Sequence, residues 1–383
     1  MQYDLIVVGA GPVGASLARA ARGLRVALVS HERRAASAQQ DAAYDARVYA
    51  LSPGNVAFLR EIGAWSALPA ARLTPVHAMR VFGDDGTSSI AFDAYRVGVP
   101  ALAWIVEDGA LQDALWGGLA ADLFAPAECQ ELNFQNETTS LTLHDGRTLQ
   151  GKLIVGADGA NSFVRRTAGI DASEKDYGQS AVVANFLCEK PHANTAWQWF
   201  QGGPVLALLP LPGGQVSMVW SLPAADAARL AALAPDALCK EVASASHGAL
   251  GALELAAPQK SYALRRLSAK RLVAPRVALA GDAGHVVHPL AGQGLNLGLQ
   301  DARVLAGVLA RREPVRDPGD LRLLRRYERS RAEPILAMDT MIDGLFRLFG
   351  AEGDLAARLR NTGLNLADRI PVLKNILVRQ AMN

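Results

Sequence analysis

The apolar run Leu5-Ile6-Val7-Val8 enters a Gly-x-Gly-x-x-Gly turn at Gly9, Gly11 and Gly14, within the first fifteen residues of the chain. The run reads as a buried parallel strand, and Ala15 to Arg22 as the helix after it. Gly9 permits the tight turn, Gly11 lets a diphosphate approach the backbone, and Gly14 lets the helix pack on the strand. Backbone N–H groups at the helix start then face an anion, helped by the helix dipole. A second strand, Arg25 to Val29, follows in order. This sequence of elements points to dinucleotide binding.

The remaining pattern predicts an interleaved chain. Ser52 to Glu61 reads as a helix with Ser52 as N-cap and Pro53 at its first position. Val76 to Phe82 alternates like a strand, with a turn at Asp84-Asp85-Gly86. Asp108 to Leu119 is a helix candidate, and Leu141 to Leu149 has the signature of a hairpin turning at Asp145-Gly146-Arg147. Lys152 to Gly159 and Arg276 to Asp282 are buried strands that end in glycine and aspartate. Between them, Ser180 to Leu222 is strand-like and rich in aromatic residues, and Ala224 to Ala245 reads as helical. Gly294 to Arg311 and Leu321 to Phe349 are helical, and Leu364 to Met382 carries apolar residues at helical spacing, with Arg369, Lys374 and Arg379.

Bulk properties narrow the function. A formal charge of +2 provides no field to steer the chain to nucleic acid. Cys129, Cys188 and Cys239 lie far apart without CxxC spacing, which excludes a disulfide framework and a cysteine zinc site and suits a reducing cytoplasm. No stretch reaches the roughly 20 apolar residues of a spanning helix, and the chain opens directly on a strand rather than a signal peptide. His285 and His288 form a His-x-x-His pair, but no third ligand has suitable spacing, so no metal is expected.

Three separated motifs align: Gly9 to Gly14, Ala157-Asp158-Gly159, and Gly281-Asp282-Ala283-Gly284-His285 running on through Pro289 and Gly292-Gln293-Gly294-Leu295-Asn296-Leu297-Gly298. With Asp45-Ala46-Arg47-Val48-Tyr49-Ala50-Leu51 and the closing Leu373 to Met382, this set resembles the class A flavoprotein aromatic hydroxylases. More narrowly it is similar to the ubiquinone-biosynthesis hydroxylase family, over essentially the whole chain. The resemblance implies an α/β chain of para-hydroxybenzoate-hydroxylase type. It has a discontinuous Rossmann-like FAD-binding domain (1–75, 98–178 and 270–330), an inserted antiparallel substrate domain (76–97 and 179–269) and a C-terminal helical region (331–383).

The resemblance also assigns roles. Asp282 accepts from ribityl hydroxyls of FAD. Gly292, Gln293 and Gly294 start a helix whose N–H groups stabilise negative charge at the flavin pyrimidine edge, and Gly281, Leu295 and Asn296 join the cofactor-binding set. Pro289 shapes the pocket beside the ring. Asp158 and Gly159 lie near the flavin and the nicotinamide diphosphate, and Arg47 contacts the flavin and its phosphates. Tyr49 and Tyr177 read equally as hydroxyl donors or half-buried core residues. Leu208 and Pro210, in the run Val205 to Pro210, read as a wall of the substrate cavity, and the cluster Trp197, Trp199, Phe200 and Trp220 reads equally as cavity or core.

Two positions depart from the family pattern. The second strand ends in Ser30 where an acidic ribose acceptor is usual, with Glu32 two residues on, and Gly109 stands where relatives carry an arginine. Each lost charge-assisted bond costs about 1.5–3 kcal/mol, so weakened FAD binding is expected.

The implied reaction is hydroxylation of a polyprenylated phenol or benzoquinol through a C4a-hydroperoxyflavin, with NAD(P)H and O2 as co-substrates. A lipid-soluble substrate adds a peripheral contact with the inner membrane or a biosynthetic complex, and a homodimer is compatible with it. Two other readings stand beside this one. One is a prenyl-reductase-like flavoenzyme; the other is a weakly flavin-binding scaffold subunit, motivated by Ser30 and Gly109. A halogenase fits less well, because Trp197-Gln198-Trp199-Phe200 lacks the last position of Trp-x-Trp-x-Ile.

Overall fold

A computed structural model describes residues 2–33, 44–84, 88–135, 137–288 and 293–350. The helices it contains are α1 (Pro12–Ala20), α2 (Pro53–Glu61), α3 (Ala94–Val97), α4 (Asp108–Trp116), α5 (Phe163–Thr167), α6 (Ala224–Ala231), α7 (Pro235–Ala245), α8 (Gly294–Ala310) and α9 (Leu321–Gly350).

The first sheet is the nucleotide-binding layer. Its strand order is Val273–Ala274, Val277–Leu279, Thr148–Gly156, Gln2–Val8, Val26–Val29 and Asp122–Phe124, with Thr139–Leu143 and Cys129–Phe134 branching from the long Thr148–Gly156 strand. The central pairs are parallel, so both faces need cover, and the strands are correspondingly apolar throughout. Leu5, Val7, Leu28 and Val155 pack on one face against α1, α8 and α9, and Ile6, Val8, Ile154 and Leu279 on the other against Phe124, Leu141 and Val164.

The second sheet runs His285–Val286, Leu253–Ala269, Ala172–Cys188, Gln215–Pro223, Val205–Pro210, Thr195–Phe200, Ala78–Phe82 and Ser89–Asp93. It is antiparallel except where Thr195–Phe200 meets Ala78–Phe82. Helices α6 and α7 cover one face through Leu230, Leu238 and Val242. A small third sheet, Val48–Leu51, Ala103–Glu107 and Thr74–Val76, lies alongside the contact between the two.

Several elements differ from the sequence reading. Val76 to Phe82 is two strands in different sheets, Thr74–Val76 and Ala78–Phe82, separated at His77. Ala224 to Ala245 is two helices, because Pro235 starts a new one at its first turn, where a missing N–H costs nothing. The 17-residue strand Leu253–Ala269 has no counterpart in the sequence reading. Its alternation is irregular, and its pairing with Ala172–Cys188 shifts register at three places. The C-terminal segment from Leu364 to Met382 lies outside the described residues, and α9 carries Pro334 in its interior.

Candidate functional site

Strand register brings the three motifs together. Val8 is level with Gly156, and Gly156 with Leu279, so the chain leaves the sheet at Gly9, Ala157 and Ala280 side by side along one edge. The corners then touch. Gly9 has φ +99°, and a Cβ there would lie 2.2 Å from the carbonyl oxygen of Ala157. Gly281 has φ +61°, and its Cβ would meet Val13 of α1 at 3.1 Å, while one at Gly298 of α8 would meet the same valine at 2.6 Å. At Gly11, in contrast to Gly9, a Cβ meets nothing within 4 Å. It is the N-cap of α1 and no side chain caps that end, so the orphan N–H groups of the first turn open onto free space.

Asp282 sits in the single 3₁₀ turn Gly281–Ala283. Solvent reaches its side chain, yet it lies in so deep a recess that burial dominates and pushes its carboxyl pKa up, while His285, Arg47 and Arg265 pull the other way. Its carboxylate makes no hydrogen bond among the described residues. Arg47 shares the recess. Its guanidinium lies over the Tyr49 ring, 5.4 Å from the centroid. Burial works against its charge, but Tyr49, Asp108 and Asp282 outweigh that and raise its pKa.

The segment carrying Arg47 is held by a hydrogen-bonded web. The Tyr49 hydroxyl donates to Asp108 Oδ1 at 2.9 Å, and burial drives its pKa up. The Gly109 N–H donates to Asp45 Oδ2 at 2.7 Å, so an aspartate caps the first turn of α4. The Asp45 N–H donates to Glu107 Oε2, and Arg72 donates to both oxygens of buried Glu107, each at 2.7 Å.

Other expected residues are occupied locally. Asp158 accepts from Ser162 Oγ at 2.5 Å and from the N–H groups of Phe163 and Val164 at 2.7 and 3.1 Å, which caps α5. Gly159 follows with φ +79°. Asn296 is buried and spans to the neighbouring layer, donating to Ala50 O at 2.8 Å and accepting from the Ser52 N–H and Asn55 Nδ2. Gln293 and Gly294 begin α8, and Leu295 packs on the core. Glu32 is 82% exposed and 3.6 Å from His31, whereas Ser30 is buried at the end of its strand. Pro289 and Gly292 lie outside the described residues.

The proposed cavity wall needs correction. The strand Val205–Pro210 alternates, with Leu206 and Leu208 packed beneath α6 and α7 in the same cluster as Trp197, Trp199 and Trp220. Pro210 follows on that side by the pleat. The opposite face turns towards the nucleotide layer. Leu209 packs near Tyr44, Val48 and Ala50, and Asn185, in the same row, donates to the carbonyls of Tyr44 and Asp45 at 3.0 Å. Val183, Val219, Ala207 and Gln198 form the adjacent row on this face. A separate recess of about 400 Å³, lined by Asp84, Trp199, Phe200 and His247 among others, includes none of the glycine corners.

His285 and His288 turn to different partners. His285 Nε2 meets Asp301 at 2.6 Å, and His288 Nε2 meets Gln179 at 3.1 Å while its ring stands edge-on to Tyr177. Arg72, Glu107, Arg165, Asp301 and Arg331 were not singled out from sequence. Each acts across 30 or more residues or as a lone charge in an apolar stretch, and no local spacing marks them.

A family model described as an FAD binding domain matches residues 2–339. Ubiquinone hydroxylase UbiL of Rhodospirillum rubrum is 35% identical over 99% of this chain and 89% of that protein. The 3-demethoxyubiquinol 3-hydroxylase of Escherichia coli K12 is 32% identical over 99% and 98%. Among solved structures, pqsL of Pseudomonas aeruginosa, described as a probable FAD-dependent monooxygenase, shares the fold, with TM-score 0.78 over 95% of this chain and 99% of that one at 24% identity. So does Klebsiella pneumoniae HpxO complexed with FAD and uric acid, with TM-score 0.74 at 20% identity over 99% and 97% of the two chains.

Proposed function

The chain belongs to the FAD-binding-domain family that includes the ubiquinone-pathway hydroxylases, and from that premise we propose that it hydroxylates the aromatic ring of a polyprenylated phenol or benzoquinol. The balanced reaction takes the ring compound, O2, NAD(P)H and a proton to the hydroxylated ring, NAD(P)+ and water.

The observation that carries this reading is the convergence of Gly9, Ala157 and Gly281 at one sheet edge, around a helix end that is open at Gly11. The residues present fit FAD. The first turn of α1 and the Arg47 guanidinium offer donors and charge to a diphosphate. Asp282, in its recess without a hydrogen bond among the described residues, offers an acceptor to the ribityl hydroxyls. The first turn of α8, from Gln293, supplies N–H groups for the pyrimidine edge. Ser30 and Glu32 lie at the strand end where the adenine ribose binds in such folds. When bound, FAD supplies the electron transfer and oxygen activation that no side chain provides.

The protein's part is to bind, orient and keep water out. Val183, Val219 and Ala207 give the second sheet an apolar face towards the nucleotide layer, with Gln198 as the polar member of that row. Such a surface suits an aromatic ring and a prenyl chain and excludes water from the oxygen-transfer step.

Incubation of FAD-loaded protein with a short-chain demethoxyubiquinol under 18O2 tests the reading. One labelled oxygen in the product for each NAD(P)H consumed supports it. NAD(P)H consumption that saturates the prenyl chain without labelling the ring would establish the reductase alternative instead, and a protein that stays colourless in excess FAD would establish the scaffold.

A prenylated substrate resides in a bilayer, so we extend the proposal to peripheral membrane contact. No helix of the described residues is long and apolar enough to cross a membrane, but α9 exposes Leu336 and Met341. Co-sedimentation with phospholipid vesicles checks this, and protein that remains in the supernatant at every lipid load counts against it.

A further inference from the structure

We infer that Asp301 is the positioning residue for the turn that carries Asp282, and that α9 controls cofactor affinity from a distance through Arg331. The inference rests on the reading above, in which Asp282 receives FAD.

Asp301 lies on α8 and is fully buried. Its Oδ2 accepts from the Gly281 N–H at 2.8 Å and from His285 Nε2–H at 2.6 Å. Its Oδ1 accepts from Arg331 Nε at 2.6 Å. Arg331, on α9 and 2% exposed, also donates to Gln300 Oε1 and to the Leu297 carbonyl, which fixes it against α8. One turn earlier on α9, the Tyr327 hydroxyl donates to the carbonyl of Leu279 at 2.7 Å. From the opposite side, Arg165 donates to the carbonyl of Ala283 at 2.8 Å.

The pattern of these bonds is informative. Leu279, Ala280, Gly281, Ala283, Gly284 and His285 are each anchored, so the segment is fixed from outside on both sides of Asp282. Asp282 stands in the middle as the member whose carboxylate has no hydrogen bond among the described residues. A 3₁₀ turn with a left-handed glycine has little local reason to hold one shape. Here the shape is imposed by partners that come from α5, α8 and α9. Burial alone would drive Asp301 to the neutral form, but His285, Arg331 and the Gly281 N–H outweigh it and keep the carboxyl below its ordinary range. The ionised group thus remains available to hold the Gly281 N–H, and with it the direction of Asp282. Beyond Pro334, Asp339 of the same helix pairs with Arg266 of the second sheet, so α9 joins the turn to the sheet that faces the substrate.

The test measures the FAD dissociation constant by flavin fluorescence on full-length apoproteins, with apoprotein melting followed in parallel. The variants are Asp282→Asn, Asp301→Asn, Arg331→Met, Tyr327→Phe, His285→Leu, His285→Gln and the double variant Asp282→Asn/Arg331→Met. We expect Arg331→Met and Asp301→Asn to weaken FAD about tenfold to a hundredfold. His285→Gln, which keeps a donor to Asp301, recovers most of what His285→Leu loses. In the Asp282→Asn background, Arg331→Met adds no more than about twofold, the coupling expected of residues acting through one another.

If Asp282→Asn is impaired while Arg331→Met and Tyr327→Phe bind FAD as wild type, this inference falls and the flavin reading stands. If Asp282→Asn itself binds as wild type, the flavin reading falls. A lower apoprotein melting temperature with unchanged affinity, or full additivity in the double variant, shows a merely structural network and overturns the positioning role. Should Asp301→Asn not fold, Arg331→Met and Tyr327→Phe decide the matter.

Discussion

The Cβ that alanine would add at Gly14 falls 1.9 Å from the carbonyl oxygen of Gly9, whereas one added at Gly11 meets nothing within 4 Å. Two glycines three residues apart in one turn therefore do different work. Gly14→Ala forces backbone apart in the core and should cost about 3 kcal/mol in the apoprotein. Gly11 has φ −64°, which alanine adopts freely, so Gly11→Ala should cost the apoprotein no more than about 1 kcal/mol while blocking close approach of a diphosphate. Urea unfolding of both apoproteins, alongside FAD titration, checks the contrast. Equal destabilisation with equal FAD loss would mean that the space before α1 holds no phosphate.

Ser30 offers the opposite trade. It is buried at the end of the strand Val26–Val29, while Glu32 beyond it is largely in solvent. Ser30→Glu should destabilise the apoprotein, because a carboxylate enters a buried place without a partner. The same change should tighten FAD about tenfold by supplying a charged acceptor to the adenine ribose. Isothermal titration on wild type and variant reads both signs, and an unchanged affinity would show that Glu32 already reaches the ribose.

Most of the nucleotide layer was legible in the sequence because its signals are local. Glycines and aspartates stand where strands end, and parallel strands with aligned ends must deliver their loops to one edge. The second sheet was less legible. In Val205–Pro210 both faces are apolar, so composition cannot say which parity faces the nucleotide layer, and only the position of α6 and α7 places Leu208 and Pro210 in the core. Asp301 and Arg331 lie 20 and 50 residues from Gly281, and a long-range ion pair leaves no spacing to read. The cap role of Asp158 does carry a local signal, since Ser162 four residues on is the N-cap of a short helix.

The pair Arg72–Glu107 holds the strand that leads to α4 and, through Asp45, the segment bearing Arg47. Glu107 is only 3% exposed at its side chain. Removing its partner leaves a buried charge uncompensated, so Arg72→Met should cost about 3–5 kcal/mol. The companion Arg72→Met/Glu107→Leu should recover much of that loss. Chemical denaturation of the single and double variants tests this, and a single variant within about 1 kcal/mol of wild type would show that water already reaches Glu107.

His288 gives the fold a pH dependence of predictable sign. Burial pushes its pKa down from 6.5 to about 4, with its ring held against Tyr177 and Gln179. Above pH 6.5 the imidazole is neutral in both states and contributes nothing. Between 6.5 and about 4 the unfolded chain takes up a proton that the folded chain refuses, so stability falls as pH falls. From pH 7.5 to 5 the loss from this residue is about 2 kcal/mol. Asp301 does not confuse the measurement, because its depressed carboxyl withdraws stability only below its unfolded value of 3.8. His288→Leu should therefore flatten the stability profile between pH 7.5 and 5 relative to wild type, as read by urea unfolding at each pH. Parallel profiles for the two proteins would mean that His288 protonates in place, which requires a carboxylate or water beside its ring.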